Sequence, residues 1–359
     1  MRRFAVLLVL LGVIGAVAFG WVQASWDQPG PSAGEMTILI PPGTRAHAVA
    51  QMLEDRGAVA NVWLFELGLR TRKLADKIKA GEYALPARAS MGAITRVLVE
   101  GKSIQHKLTA AEGLTSDMIW KLVQNDSALE GDAGPVPEEG TLLPETYLFT
   151  RGQSRAGLIG QMRRAQERFL AARWSGRAEG LPFSTMREAV ILASIVEKET
   201  AVPSERPHIA SVFVNRLKVG MRLQSDPTII YGLTRGYPLG RGIRQSEIEG
   251  ATPYNTYVIA GLPPGPIANP GKDSLAAVLN PQQSQDLFFV ANGKGGHAFA
   301  ASMNEHARNV AAFRNIERAA RREVQASEAL SEPANVPLPD AALPALPKPK
   351  PKPRRRRSP

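Results

Sequence analysis

Apolar positions first run together and then become periodic. Phe4 to Val22 is an uncharged apolar run of nearly membrane-spanning length, preceded by Arg2 and Arg3. After the Pro- and Gly-bearing stretch 23–35, Met36-Thr-Ile-Leu-Ile40 reads as a strand. A Pro-Pro-Gly-Thr turn follows, then a helical period through Val49, Met52 and Leu53, a second helix over 62–69 and a return strand at 81–85. That order predicts a small βααβ unit. A fainter echo of strand, Gly-x-Thr turn and helix runs from Gln105 through Glu112-Gly-Leu-Thr115 to Leu122.

Farther on, Leu158 to Ala172 reads as a polar-faced helix. Thr185 and Glu188 have capping-box spacing ahead of a helix from Met186 to Ala201 that Pro203 stops. Another helix is expected over 208–218, ended by Gly220. The expected class is α+β.

The helix from Met186 carries Glu197 and Glu199. Positions two apart lie about 200° apart around a helix, so the two glutamates cannot share a face. Glu199 ends an apolar stripe behind Leu192, Ile195 and Val196, whereas Glu197 lies on the side of Val190, Ala193 and Ser194, small residues that suit packing or partial exposure. A carboxyl among apolar groups resists ionisation, and a general acid needs that property. From the helix alone, the competing reading is a solvated or paired glutamate, the usual condition near helix ends.

The chain has 359 residues, 44% of them hydrophobic, enough for a sizeable core in two domains. It has no cysteine, which excludes thiol nucleophiles and Cys-based zinc sites and suits an extracytoplasmic protein without disulfides. The formal net charge is +11, but Lys348, Lys350, Lys352 and Arg354 to Arg357 account for seven of those charges, leaving the rest near +4. This Pro- and Ala-rich end, within a tail taken as 321–359, is expected to be disordered. Beyond a membrane it would meet anionic lipid or wall polymers rather than nucleic acid, or remain a solvated terminus. The basic flank of the apolar run predicts a cytoplasmic N-terminus with the body outside the membrane; Val22-Gln23-Ala24 leaves a cleaved signal peptide as the alternative.

Six further motifs stand in register: Ala193-Ser-Ile-Val-Glu-Lys-Glu-Thr200, Ser211-Val-Phe-Val-Asn-Arg-Leu217, Met221-Arg-Leu-Gln-Ser-Asp-Pro-Thr228, Tyr254-Asn-Thr-Tyr257, Gly261-Leu-Pro-Pro-Gly-Pro-Ile267 and Gly295-Gly-His-Ala-Phe299. The series resembles the endolytic murein transglycosylases of the MltG (YceG-like) family, closely over 139–310. The resemblance implies a single-pass inner-membrane protein with its catalytic domain in the periplasm. It would have a LysM-like glycan-binding region over 36–138 and a catalytic domain over 139–320 that cuts nascent peptidoglycan strands internally, near the peptidoglycan synthases. In the first half, Gly-Thr before a helix is also ordinary N-cap chemistry.

The family's catalytic glutamate is the second of its Glu-Lys-Glu, here Glu199, in agreement with the helix faces. Such an enzyme needs one carboxyl and no cofactor. Asp226 is the candidate second carboxylate for a hydrolytic alternative, although Asp-Pro-Thr also reads as an N-cap followed by proline. Gln224, Tyr254 and Asn255 are candidate sugar contacts, Tyr254 or Tyr257 a stacking platform or a core residue, and Asn269 and His297 further contacts. Two histidines without clustered carboxylates make a poor metal site, so no metal is expected. A noncatalytic wall-binding scaffold is the reading from another class.

Overall fold

The computed structural model describes residues 2–331, so the basic end of the tail lies outside the described residues. Helix α1 (Arg2–Asp27) continues well past the apolar run. Strand β1 (Met36–Ile40), helices α2 (Ala46–Asp55) and α3 (Val62–Thr71) and strand β2 (Gly81–Leu85) realise the βααβ order, with β1 and β2 antiparallel from Met36 opposite Leu85 to Ile40 opposite Gly81. Helix α4 (Met91–Glu100), absent from the sequence reading, adds Ile94 and Leu98 to a core of Ile38, Ile40, Leu53, Phe65, Leu69 and Tyr83.

Two boundaries drawn from sequence need correction. The expected linker 23–35 begins as helix, and within it Trp26 and Ser32 are buried and Gly30 donates to the Arg88 carbonyl at 3.1 Å. The expected division at 138/139 is bridged by a ladder. Strand β3 (His106–Thr109) and helix α5 (Ser116–Asn125) form the echo, but β3 finds no return strand of its own. Short β4 (Leu129–Glu130) follows, and β3 pairs antiparallel with β5 (Thr146–Phe149), while β6 (Gln153–Ser154) pairs parallel with β4. A lone β3 would leave its backbone groups unpaired, so the partner is borrowed across the boundary.

Helix α6 (Arg155–Trp174) leads to α7 (Met186–Glu199), whose capping box is formed: Glu188 N donates to Thr185 Oγ1 at 3.2 Å, and Thr185 N donates to Glu188 Oε2 at 2.9 Å. Residues Ala189 to Val196 are all buried, so α7 is enclosed on every side for two turns. Helix α8 (Arg206–Lys218), α9 (Asp226–Thr234) and α11 (Lys272–Leu279) pack on it, α8 and α11 most extensively, and the single turn α10 (Gln245–Ile248) lies between α9 and α11 in the chain. A hairpin of β7 (Phe288–Ala291) and β8 (His297–Ala300) precedes α12 (Met303–Ser331). Residues 321–331, assigned to the disordered tail from sequence, are helical, since no Pro or Gly interrupts α12.

Asn269, fully buried, holds the two halves together. Its Nδ2 donates to the Leu114 carbonyl (3.1 Å), Ser116 Oγ (3.1 Å) and Glu139 Oε1 (3.2 Å), and its Oδ1 accepts from Leu142 N at 2.9 Å. Replacing it by Leu strands these partners in a buried site, and we expect Asn269→Leu to lower unfolding free energy by ~2–4 kcal/mol in urea titrations. A loss below ~1 kcal/mol would show that the amide is dispensable.

Candidate active site

Helix α7 delivers its two glutamates to opposite surroundings. The Glu197 side chain is 5% exposed, the packed alternative that its small neighbours allow, and is paired with Arg206 at 3.2 Å while accepting from Gly271 N at 2.9 Å. Arg206, also buried, binds Glu112 at 3.0 Å and Asp273 at 3.3 Å. Burial and the nearby Glu197 charge raise the Glu112 carboxyl above its ordinary range. Glu197 thus ties α7 to α8 and to the start of α11.

Glu199, partly buried at the last position of α7, turns toward the start of α9. Ser225 stands at the N-cap position there, yet its hydroxyl caps nothing: it donates a very short hydrogen bond to Glu199 Oε1. The backbone holds it in that posture. Ser225 N donates to Thr256 Oγ1 (2.9 Å), Thr228 Oγ1 donates to the Ser225 carbonyl (2.6 Å), and Thr228 and Thr256 hydroxyls meet at 2.9 Å, all in a buried cluster. Gln224, immediately before, has φ +49°, a left-handed turn that its N–H secures on the Thr256 carbonyl at 3.2 Å.

Burial is the main reason the Glu199 carboxyl rises to about 7, and the neighbouring Asp226 charge pushes the same way. The Ser225 hydroxyl and the Arg216 guanidinium oppose it without prevailing. Arg216 is itself buried and committed to the carbonyls of Leu287 (2.6 Å) and Leu223 (2.5 Å). It lends Glu199 a positive field with no direct pair. Asp226 is exposed and is the first residue of α9, not its cap; Tyr257 donates to its Oδ1 at 2.7 Å. Burial and that carboxylate raise the Tyr257 hydroxyl well above its ordinary value. Near neutrality, then, one carboxyl is poised to exchange a proton beside one that is hydrogen-bonded and solvated.

Of the residues expected to join Glu199, the structure brings Asp226 and Tyr257 close enough for their charges to act on it, while Gln224 is exposed on the turn beside Ser225. Tyr254 packs at the core edge, tilted 58° against Tyr231 with centroids 4.8 Å apart. Asn255 and Asn269 are corrections. Asn255 is fully buried, donates from Nδ2 to the carbonyls of Ile248 (2.9 Å) and Gly250 (2.7 Å) and accepts at Oδ1 from Tyr257 N (3.0 Å), leaving nothing for a sugar. Asn269 is spent on the bolt described above. His297 joins Glu205 through Nδ1 at 2.7 Å and through its backbone N–H at 2.8 Å, fastening β8 to the turn after α7.

Among the described residues no cluster of three or more His, Asp or Glu side chains could hold a metal ion. Sequence reasoning missed Ser225 and Arg216. The Ser-Asp-Pro-Thr run contains the signal, since serine is as good a cap as aspartate.

Fold and site together define a mixed α/β protein with one carboxyl held near neutrality at the end of a buried helix. A model of the YceG-like family matches residues 38–312, and the chain belongs to that family. It is 30% identical over 305 residues to the endolytic murein transglycosylase of Bacillus subtilis (strain 168), an alignment covering 76% of this chain and 82% of the relative. The protein of the same name from Streptococcus pneumoniae (strain D39) is 29% identical over 361 residues, covering 86% of this chain. The chain spans 64% of the length of that relative. A crystal structure of a YceG-like protein from Listeria monocytogenes is 29% identical and covers 77% of this chain and 99% of its own, with a TM-score of 0.47.

The raised carboxyl has a signed effect on stability. Between its ordinary 4.5 and about 7 the folded chain keeps a proton that the unfolded chain releases, so this group's contribution falls as pH rises through that window and is level above it. We expect Glu199→Gln to remove that slope, so that native minus variant unfolding free energy drops by up to about 3 kcal/mol across the window. Parallel stability curves would exclude a raised carboxyl.

Proposed function

We propose that the protein is a membrane-anchored endolytic peptidoglycan lytic transglycosylase in which Glu199 acts first as acid and then as base. The observation that carries the reading is the single carboxyl raised to about 7, seated where its neutral form predominates below neutrality and is still about half present at it. Glu199 gives its proton to the glycosidic oxygen between N-acetylmuramic acid and N-acetylglucosamine as the bond from muramyl C1 breaks. The resulting carboxylate then takes the proton from the muramyl C6 hydroxyl, whose oxygen closes on C1. One C–O bond breaks and one forms, the proton passes from O6 to O4 by way of Glu199, and no water is consumed. The product is a 1,6-anhydro end.

Ser225 gives this scheme a direction. A hydroxyl donating to Oε1 makes that oxygen an acceptor, so the transferable proton resides on Oε2. When Glu199 becomes a carboxylate, the same hydroxyl steadies the charge. Gln224 and Tyr257 are the proposed contacts for sugar hydroxyls or a pyranose face, with Tyr254 and His297 as further candidates.

The names of the relatives support peptidoglycan as substrate. Helix α1 is long and apolar enough ahead of the buried Trp26 to cross a membrane, and Arg2 and Arg3 favour a cytoplasmic N-terminus with the remaining domains in the periplasm. The βααβ unit is our candidate for a LysM-like glycan-binding module. It offers a polar cavity of about 620 Å³ lined by Thr44, Arg45 and His47 from the β1–α2 turn and by Glu66, Arg70 and Asp76 across from it. Peptidoglycan synthases, as suppliers of nascent strands, are the proposed protein partners.

A hydrolytic muramidase is the second reading, favoured by the exposed Asp226 carboxylate whose charge reaches Glu199. Mass spectrometry of products from uncross-linked glycan strands separates the two. Anhydro-muramyl ends at internal cuts support transglycosylation, reducing ends support hydrolysis, and intact strands from a folded protein leave only a binding scaffold.

We expect Glu199→Gln to abolish cutting while fold and glycan binding survive. Glu197→Gln should keep substantial activity and lose stability instead, because it weakens the Arg206 pair. Comparable loss of cutting in both folded variants would refute the assignment. Ser225→Ala should lower kcat about tenfold, on the scale of one lost hydrogen bond to a charged group, and move the basic limb of the pH–rate profile upward. Ser225→Thr should restore both, and an unshifted profile in Ser225→Ala would deny the hydroxyl its role.

A further inference from the structure

The end of α1 is clamped into the first globular unit. Trp26 is 5% exposed, stacks on Phe65 with centroids 5.8 Å apart, and lies so close to Gly68 that a Cβ there would sit 2.0 Å from its ring. Gly92 of α4 closes on the indole nitrogen from another direction, and the Arg72 guanidinium covers the ring at 4.3 Å while donating a very short hydrogen bond to Gln23. With α3 and α4 both packed on α1, the helix enters the unit as a rigid strut.

Two of these contacts give the strut a direction. Gly68 meets α1 at Trp26, and Arg72, at the end of α3 about one turn farther on, covers the same ring and reaches beyond it to Gln23, three residues nearer the apolar run. Helix α3 therefore descends toward the apolar segment, and the stretch after it lies at that lower end. A cavity of about 260 Å³ lined by Trp26, Leu74, Val99 and Glu100 puts the end of α4 alongside, and Lys79 Nζ reaches the Glu100 carbonyl at 3.1 Å. The side chains exposed on this rim are mostly basic: Lys73, Lys77, Lys79, Arg96 and Lys102, against Asp76 and Glu100. Glu100 is already within 3.7 Å of Lys102. On α1, Trp21 is 64% exposed just before Gln23, an amphipathic ring at the level where apolar sequence gives way to polar.

We propose that this rim is a lipid-binding surface that seats the first unit on anionic headgroups, with Arg72 at headgroup level and Lys73, Lys77, Lys79, Arg96 and Lys102 facing the phosphates. The inference rests on the membrane-anchor reading of α1. Its physical ground is that a charge attracted to a lipid surface acts within about a Debye length, ~8–10 Å at physiological salt, and a side chain touching Gln23 is inside that range if the bilayer boundary falls at Val22. A flexible tether would let the unit drift beyond it. The Trp26 clamp does not.

Because the chain has no cysteine, single labels can be introduced into the full-length protein in nanodiscs. Fluorophores at Ala24→Cys and Lys77→Cys are read against a quencher carried on lipid headgroups, in phosphatidylcholine discs with and without phosphatidylglycerol. We expect the two labels to be quenched within about twofold of each other, with the label at position 77 quenched more strongly when phosphatidylglycerol is present. The added Lys73→Glu, Lys79→Glu and Lys102→Glu substitutions should remove that increment and leave the label at position 24 unchanged. Quenching at 24 without quenching at 77 would overturn the proposal while sparing the anchor. Quenching at 77 indifferent to phosphatidylglycerol and to charge reversal would overturn recognition of anionic lipid. Absence of quenching at both positions would overturn the anchor and the proposal together.

Discussion

Desolvation of one carboxyl at the carbonyl end of a buried helix is the constraint on which the site depends. Glu199 stands where the unpaired carbonyls of α7 already concentrate negative charge, and ionising it there is opposed by the helix as well as by the apolar residues beneath it. The surrounding structure moderates that cost without cancelling it. A hydroxyl is held against one oxygen by a buried threonine pair, and an arginine is held nearby but committed to backbone carbonyls. A direct Arg216–Glu199 pair would have fixed the carboxylate and removed its usefulness for proton exchange. Committing Arg216 elsewhere keeps the balance near neutrality.

The same helix shows how two identical side chains are given different work by rotation alone. Glu197, on the other face, meets Arg206 and an amide and becomes a structural tie. The tie involves more carboxylates than arginine, since Glu112 and Asp273 share the same guanidinium. Burial and that excess together raise the Glu112 carboxyl.

Local rules made much of this legible before any coordinates. The capping box at Thr185, the βααβ order and the separation of Glu197 from Glu199 all depend on residues within a few positions of one another. What escaped was long-range. The ladder between β3 and β5 joins segments some 40 residues apart, and the duties of Asn255 and Asn269 are set by backbone carbonyls that no motif announces. An asparagine in a polar loop motif looks alike whether its amide faces a ligand or the chain. Ser225 escaped for a subtler reason: its position is that of a cap, and only the fold reveals that its hydroxyl has been redirected.

The bolt at Asn269 also sets an order in time. Its partners at Leu114, Ser116, Glu139 and Leu142 lie 127 to 155 residues earlier in the chain, and Gly113 reaches the Asn269 carbonyl as well. Contacts so distant in sequence close late, because the entropy of joining the ends is lost before the contact returns anything. During synthesis the segment around Glu139 must wait, its carboxylate and amides solvated, until residue 269 has emerged. The helix bearing Glu199 can therefore form long before the walls around it are complete, and the emerging chain holds an ordinary, water-exposed glutamate until the segments that enclose it arrive.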